Sequence, residues 1–265
     1  MRIINKIKLF SNHTEKSKPI EEELEKLLKE YNFELSDKFD LGIAIGGDGS
    51  FLKMVKQTNF NSNPYYIGVN TGTLGFLQEI KPDKLKEFVE SLNENNFKFD
   101  EIGVLETTIT KENEIKKYYS LNELVMRDLN LNVFKSEIYV DKIKLENFAG
   151  DGLLIATSVG SSAYNISLNG ALVYNTLHTL QINPISPLNT SAYRNLLNPV
   201  ILPEKSLVEI LPEKKQVTIM IDGEVEKLQN VSKLECTVKD KKLKFLRMKE
   251  YEFINIVNEK FISNK

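Results

Sequence analysis

The sequence predicts an N-terminal α/β domain with a parallel sheet, a β-rich C-terminal domain, and a C-terminal helix that returns to the first domain. Two changes of texture along the 265 residues carry this reading. Up to about residue 101, apolar runs alternate with helical periodicities, and Leu41 to Ile45 is wholly apolar, as in a strand covered on both faces. From Ile102 short alternating strands between polar turns take over, and the tail recovers a helical spacing. The expected division is 1–101, 102–240 and 241–265.

The elements follow in order. Ile3 to Phe10 is apolar and β-branched enough for a strand, and Ile20, Leu24, Leu27, Leu28 and Tyr31 mark one face of a helix. Ser17 can cap that helix, with Glu21 to Glu23 at its positive end. The buried strand Leu41 to Ile45 stops abruptly at Gly46-Gly47-Asp48-Gly49, after which Phe51, Leu52 and Val55 fall at helical spacing. Tyr65 to Val69 is a second buried strand before another glycine turn, and Leu85, Phe88, Val89 and Leu92 form a helix face begun near Pro82. The β-rich part shows Ile138/Val140 and Ile143/Leu145 around Asp141-Lys142, then Val208/Ile210, Val217 to Ile221 and Leu234/Cys236/Val238. Tyr251, Ile254, Val257 and Phe261 complete the pattern as a terminal helix packing back on the first domain.

Composition excludes several classes of function. With 35 Lys and Arg against 37 Asp and Glu, the net charge of -2 offers no general attraction for nucleic acid or an anionic membrane, so any phosphate needs a local site. Apolar stretches fall far short of the roughly 20 residues that cross a bilayer. The opening MRIINKIKLF reads as a strand, and a cytoplasmic protein is expected. One cysteine and two histidines exclude an intrachain disulfide and argue against a Cys/His zinc site. Cys236 lies on the apolar side of its strand and is expected to be a buried thiol.

Chemistry concentrates in a few motifs. A strand ending in Gly46-Gly47-Asp48-Gly49-Ser50 leaves backbone N–H groups at a helix entry, where they and the helix dipole can hold phosphate; Asp48-Gly49 also suits a plain tight turn. The Walker and G-x-G-x-x-G patterns do not occur here. Asn70-Thr71-Gly72-Thr73-Leu74-Gly75-Phe76 also follows a buried strand and, taken alone, is a loop; strand ends on one side of a parallel sheet meet at a ligand crevice, where two such turns can face each other. Asn122-Glu123 sets an amide beside a carboxylate, or else is only an exposed strand end. Gly150-Asp151-Gly152 precedes an apolar run, and Thr157-Ser158-Val159-Gly160-Ser161-Ser162-Ala163-Tyr164-Asn165-Ile166-Ser167 is dense enough in hydroxyls to bind a base and ribose.

The order and spacing of GGDGS, NTGTLGF, NE, GDG, TSVGSSAYNIS and the later Asp222-Gly223 resemble the NAD kinase family from about Leu41 to Gly223. GGDG is shared with the phosphofructokinases and the diacylglycerol and sphingosine kinases, whereas NE, GDG and GSSAY point to NAD kinase. The resemblance implies phosphoryl transfer from ATP, or polyphosphate, to the 2'-hydroxyl of the adenosine ribose of NAD, with Mg2+ accompanying the donor. It makes Asp48 the general base and sets Gly46, Gly47, Gly49 and Lys53 near the phosphates. It lines the dinucleotide site with Gly49, Phe76, Asn122, Glu123, Asp151, Ser162, Ala163, Tyr164, Asn165 and Ser167, and it singles out no residue as a direct metal ligand. It also implies a homo-oligomer, commonly a homotetramer. Two departures stand out: the family's usual TPTGSTAY is Thr157-Ser158-Val159-Gly160-Ser161-Ser162-Ala163-Tyr164 here, and Ala149 stands where many members carry Arg. The rival readings are a lipid kinase, against which the hydroxyl-rich segment argues, and a nucleotide-binding regulator, which need not keep Asp48.

Overall fold

The computed structural model describes residues 2–72, 75–112 and 114–263, and its chain divides into two compact units. One is Met1–Ile102 together with Leu243–Lys265, and the other is Gly103–Lys242.

In the first unit, β1 (Lys6–Ser11), α1 (Ser17–Glu30), β2 (Glu34–Leu35), β3 (Leu41–Gly46), α2 (Asp48–Gln57), β4 (Tyr65–Asn70) and α3 (Leu85–Glu94) follow one another. The strands run parallel in the order β2-β1-β3-β4, as the β-α alternation requires. Every residue of β3 is buried, and Ile43 stands in register with Leu9 on one side and Ile67 on the other. Leu24 and Leu28 of α1 and Leu85, Phe88, Val89 and Leu92 of α3 share one apolar core with these strands.

Several local expectations need correction. Ser17 is the first helical residue of α1 rather than its cap, because Lys16 already has helical dihedrals. Thr14 does the capping, accepting from the Ser17 N–H at its Oγ1 (3.3 Å) and its carbonyl oxygen (3.1 Å). The first turn carries no acid, so Glu21 to Glu23 begin too late to meet the unpaired N–H groups. In α2 the inner face is Phe51, Met54 and Val55, with Leu52 half-buried beside it.

The terminal segment completes this unit. Lys244 and Phe245 pair in parallel with Tyr65 and Tyr66 of β4. A helix over Phe253–Phe261 buries Phe253 and Ile256 and leaves Ile254 and Phe261 at least half exposed, so its inner stripe is one position out of phase with the expected one. Arg247 is buried between Glu79 and Asp100, with N···O distances of 3.3 and 2.9 Å, and its guanidinium lies 4.0 Å from the centre of the Tyr251 ring. Burial pushes the Glu79 carboxyl up, and Arg247 opposes that shift.

The second unit is built of antiparallel strands. β5 (Phe97–Lys111) enters it at Gly103 and forms a hairpin with β6 (Ile115–Ser120). β7 (Glu123–Asp128), β8 (Phe134–Val140), β9 (Ile143–Gly150) and β10 (Gly152–Thr157) follow. A short α4 (Tyr164–Ser167) then precedes β11 (Thr179–Ile185), β12 (Val200–Pro203), β13 (Val208–Pro212), β14 (Val217–Ile221), β15 (Glu224–Leu228) and β16 (Val231–Met248), of which 231–242 belong here. One sheet has the order β12-β11-β10-β7-β14-β15, and β16, β13, β8 and β9 pair in sequence in the other. Leu124, Met126, Ile155 and Ile219 of the first meet Ile138, Val208, Ile210 and Cys236 of the second in one core. Asp141 and Lys142 both have positive φ, +49° and +69°, and make the tight β8-β9 turn that twisted hairpins favour. Among the described residues no helix is long and apolar enough to cross a membrane.

Candidate active site

The first glycine turn is assembled where β3 runs into α2. Gly46 has φ +152°, and a Cβ there would lie 2.1 Å from Ser50 Oγ, so only glycine lets the chain turn at this point. Gly47 is the N-cap of α2, and its carbonyl accepts the Ser50 N–H at 2.9 Å. A Cβ on Gly47 or Gly49 would meet nothing within 4 Å, so the outer side of the turn is open to a ligand. Lys53 is exposed one helical turn beyond Gly49.

The second glycine turn faces the first. Phe76 N–H and Leu77 N–H each donate to the Asp48 carboxylate at 3.0 Å, to Oδ2 and Oδ1 respectively. Gly75 permits the approach, since a Cβ there would lie 1.9 Å from Asp48 Oδ1. Each carboxylate oxygen keeps a second lone pair, so the two bonds orient Asp48 without exhausting it as an acceptor. The Phe76 ring packs on the terminal helix, with centroids 6.1 Å from Phe253 and 5.5 Å from Phe261. Thr73 and Leu74 of this motif lie outside the described residues.

The hydroxyl-rich segment lies at one end of the six-stranded sheet of the second unit. Asp222 occupies the two-residue turn between β14 and β15, at φ +46°. Its carboxylate accepts the N–H groups of Leu121 (2.7 Å), Asn122 (2.8 Å) and Glu123 (3.2 Å), fixing the entry to β7. Burial pushes its carboxyl up against the pull of those three N–H groups. Glu123 is buried as well, and its Oε2 has no hydrogen-bond partner. Burial and the nearby Asp222 charge push it up to about 8, opposed by a hydrogen bond from the Tyr164 backbone N–H.

The loop after β10 closes over the same strand entry. Thr157 Oγ1 donates to Leu121 O at 2.6 Å and accepts the Gly160 N–H at 3.1 Å. A Cβ on Gly160 would lie 2.0 Å from Asn122 O, so this crossing also requires glycine. Ser162 and Ala163 are half-buried, Ser162 Oγ donates to Val159 O, and the Tyr164 hydroxyl accepts from Arg127 at 3.0 Å. Ser167 is exposed. Asn165 is fully buried: its amide nitrogen donates to Ser161 O and Ala171 O, and its oxygen accepts from Asn183, so in this structure the side chain ties the loop together. Asp151 is exposed at the opposite end of β10, roughly 16 Å from Ala156 by strand rise, between Gly150 and Gly152, where a Cβ would approach within 3 Å of Phe148 and of Met126 O. The structure therefore gathers Asn122, Glu123, Ser162, Ala163 and Tyr164 and sets Asp151 apart.

Comparison with known proteins decides the family. Residues 4–97 match the ATP-NAD kinase N-terminal domain and residues 121–248 the ATP-NAD kinase C-terminal domain. The NAD kinase of Finegoldia magna is 32% identical over 268 residues, covering 97% of each chain. The chain belongs to the NAD kinase family. It is accordingly a kinase. The NAD kinase of Leuconostoc mesenteroides is 31% identical over 97% of this chain and 98% of its own. Two solved structures share the fold at 20% identity: yeast NADH kinase complexed with NADH, at a TM-score of 0.86 over 100% of this chain and 90% of that one, and an NAD kinase from Archaeoglobus fulgidus in complex with ATP, at 0.75 over 96% and 98%.

The motifs left three site features unread. Asp222 was legible only as part of a family motif, and nothing in the sequence tied its carboxylate to the Asn122 N–H, 100 residues away. Arg127 occupies an ordinary strand position, and its reach to Tyr164 depends on β7 and α4 meeting. Gln78, fully buried, donates to the Gly47 carbonyl at 2.7 Å. Ala149 is buried, and its backbone N–H and carbonyl are both bonded to the Asn195 side chain.

Proposed function

We propose that the chain transfers a phosphoryl group from ATP, or from polyphosphate, to the 2'-hydroxyl of the adenosine ribose of NAD, giving NADP. The observation that supports this most is the Asp48 carboxylate, held by two backbone N–H groups at the start of α2 between two glycines with open space outside them. A hydroxyl is a poor nucleophile, and a fixed carboxylate with a spare lone pair can take its proton as the bond to phosphorus forms. Gly47, Gly49 and the helix entry offer N–H groups and a positive dipole end to the donor phosphates, and Lys53 adds a cation. Mg2+ is proposed to arrive on those phosphates, where it supplies charge neutralisation; it characteristically takes one or two carboxylates and keeps several waters, and the half-exposed Asp48 is a carboxylate of that kind.

Asn122, Glu123, Ser162, Ala163 and Tyr164 are proposed to hold the adenosine end of NAD. Asp151, set far along β10, suits the other end of an extended dinucleotide. A homo-oligomer, commonly a tetramer, and a cytoplasmic location remain part of this proposal through the family resemblance. The test is an incubation of the purified protein with NAD, Mg2+ and either ATP or polyphosphate, with NADP followed enzymatically. NADP formation is expected with at least one donor; its absence with both, together with phosphorylation of a diacylglycerol, overturns the proposal.

A further inference from the structure

We infer that Gln78 is a positioning residue for the donor-phosphate turn, acting on the peptide plane between Gly47 and Asp48. The inference rests on the phosphate role proposed for that turn.

Gln78 is completely buried, and its amide nitrogen donates to the Gly47 carbonyl at 2.7 Å. The carbonyl and N–H of a trans peptide point in opposite directions in one plane. The Gly47 oxygen also accepts the Ser50 N–H of its own helix at 2.9 Å, and the Gln78 bond, the shorter of the two, helps to set the peptide plane so that the Asp48 N–H points away from Gln78. The amide can take only one orientation, because its reverse would set oxygen against the Gly47 oxygen. Its own oxygen is buried, has no partner and abuts Gly68, where a Cβ would lie 2.1 Å away. An unpartnered buried oxygen carries a cost that an aliphatic side chain would not, which gives the donated bond its significance.

The segment carrying Gln78 is fixed at successive residues. Phe76 and Leu77 hold Asp48 through their N–H groups. The Glu79 and Ile80 N–H groups donate to Gly68 O at 3.1 and 3.0 Å, and the Glu79 carboxylate accepts from Met248 N–H and Arg247. Gln78 is thus a rigid post against which the Gly47 carbonyl rests.

The experiment compares the parent with Gln78→Glu, nearly isosteric but unable to donate when ionised, and Gln78→Met, of similar length and apolar. NADP formation from MgATP and NAD, NAD and ATP affinity by calorimetry, and Tm are measured for each. Both variants are expected to lose about tenfold or more in kcat/KM for ATP, to bind NAD within about twofold of the parent, and to melt within a few degrees of it. Relative to the parent at the same pH, Gln78→Glu is expected to recover as pH falls and its neutral carboxyl can donate again, whereas Gln78→Met does not. Unchanged ATP parameters overturn the inference, and so does a loss that tracks Tm and NAD affinity without recovery in Gln78→Glu. If the parent forms no NADP, the proposed function fails, and ATP affinity across the three proteins still decides the role of Gln78.

Discussion

Two aspartates, one in each unit, are held in the same way and end in different chemical situations. Asp48 receives two backbone N–H groups from the facing turn but stays half-exposed at the mouth of α2. Asp222 receives three from the entry to β7 and lies under burial strong enough to push its carboxyl up. A carboxylate bonded by N–H groups is a rigid object in either setting. Access to solvent and substrate decides whether that rigidity serves a reaction or a scaffold. In the second unit the consequence passes to Glu123, which has the orphaned oxygen beside Asp222 and carries the large shift.

The sharpest test of this contrast is Asp48→Asn. Loss of the base should lower kcat by about 10²- to 10⁴-fold. Asn has a single acceptor oxygen, so one of the Phe76 and Leu77 N–H groups would face an amide NH2, and a drop in Tm of a few degrees should accompany the kinetic loss. Near-parental turnover with a lowered Tm would make Asp48 a turn residue like Asp222. For Asp222→Asn the balance should reverse: thermal unfolding should show a loss of about 1 to 3 kcal/mol from the unpaired N–H. NAD affinity should weaken as the Asn122-Glu123 entry loosens, with no separate effect on the chemical step.

Glu123 supplies a pH test. Its folded-state value of about 8 lies above the ordinary carboxylate range, so its contribution to stability is complete below that range and is lost as pH rises through about 8. Glu123→Gln removes the titration, and the Tm difference between parent and variant should shift in favour of the variant from pH 5 to 9; parallel profiles would show that Glu123 is ionised throughout. The smallest effect is expected at Cys236, whose thiol burial pushes up to about 12. A thiol reagent should leave it unlabelled in the folded protein and label it fully after denaturation, and Cys236→Ala should keep parental turnover.

The two units were unequally legible in the sequence. Leu41 to Ile45 and Tyr65 to Val69 could be placed because a strand buried on both faces is apolar without interruption, and their ends because a glycine turn follows each. The sheet partners of the second unit were not legible, since alternation fixes which face of a strand is buried and says nothing of its neighbour. That is why nothing in the sequence tied Asp222 to the strand entry it bonds 100 residues earlier, or Asn165 to Asn183. Gln78 was hidden for a related reason: a polar pair such as Gln78-Glu79 reveals its burial only once the partner, Gly47, is in view. The terminal helix was located correctly but rotated, because Phe253 and Ile254 are both apolar and only packing chooses between them.

The first unit draws on both ends of the chain, and this has a consequence for synthesis. The strand segment pairing with β4, and the guanidinium between Glu79 and Asp100, come from residues after Leu243. Some 140 residues are translated in between, which takes a ribosome roughly 7 to 28 s at about 5 to 20 residues per second. Through that interval the nascent N-terminal segment carries an open sheet edge and two acids still waiting for their cation, so the second unit can finish folding before the first one can.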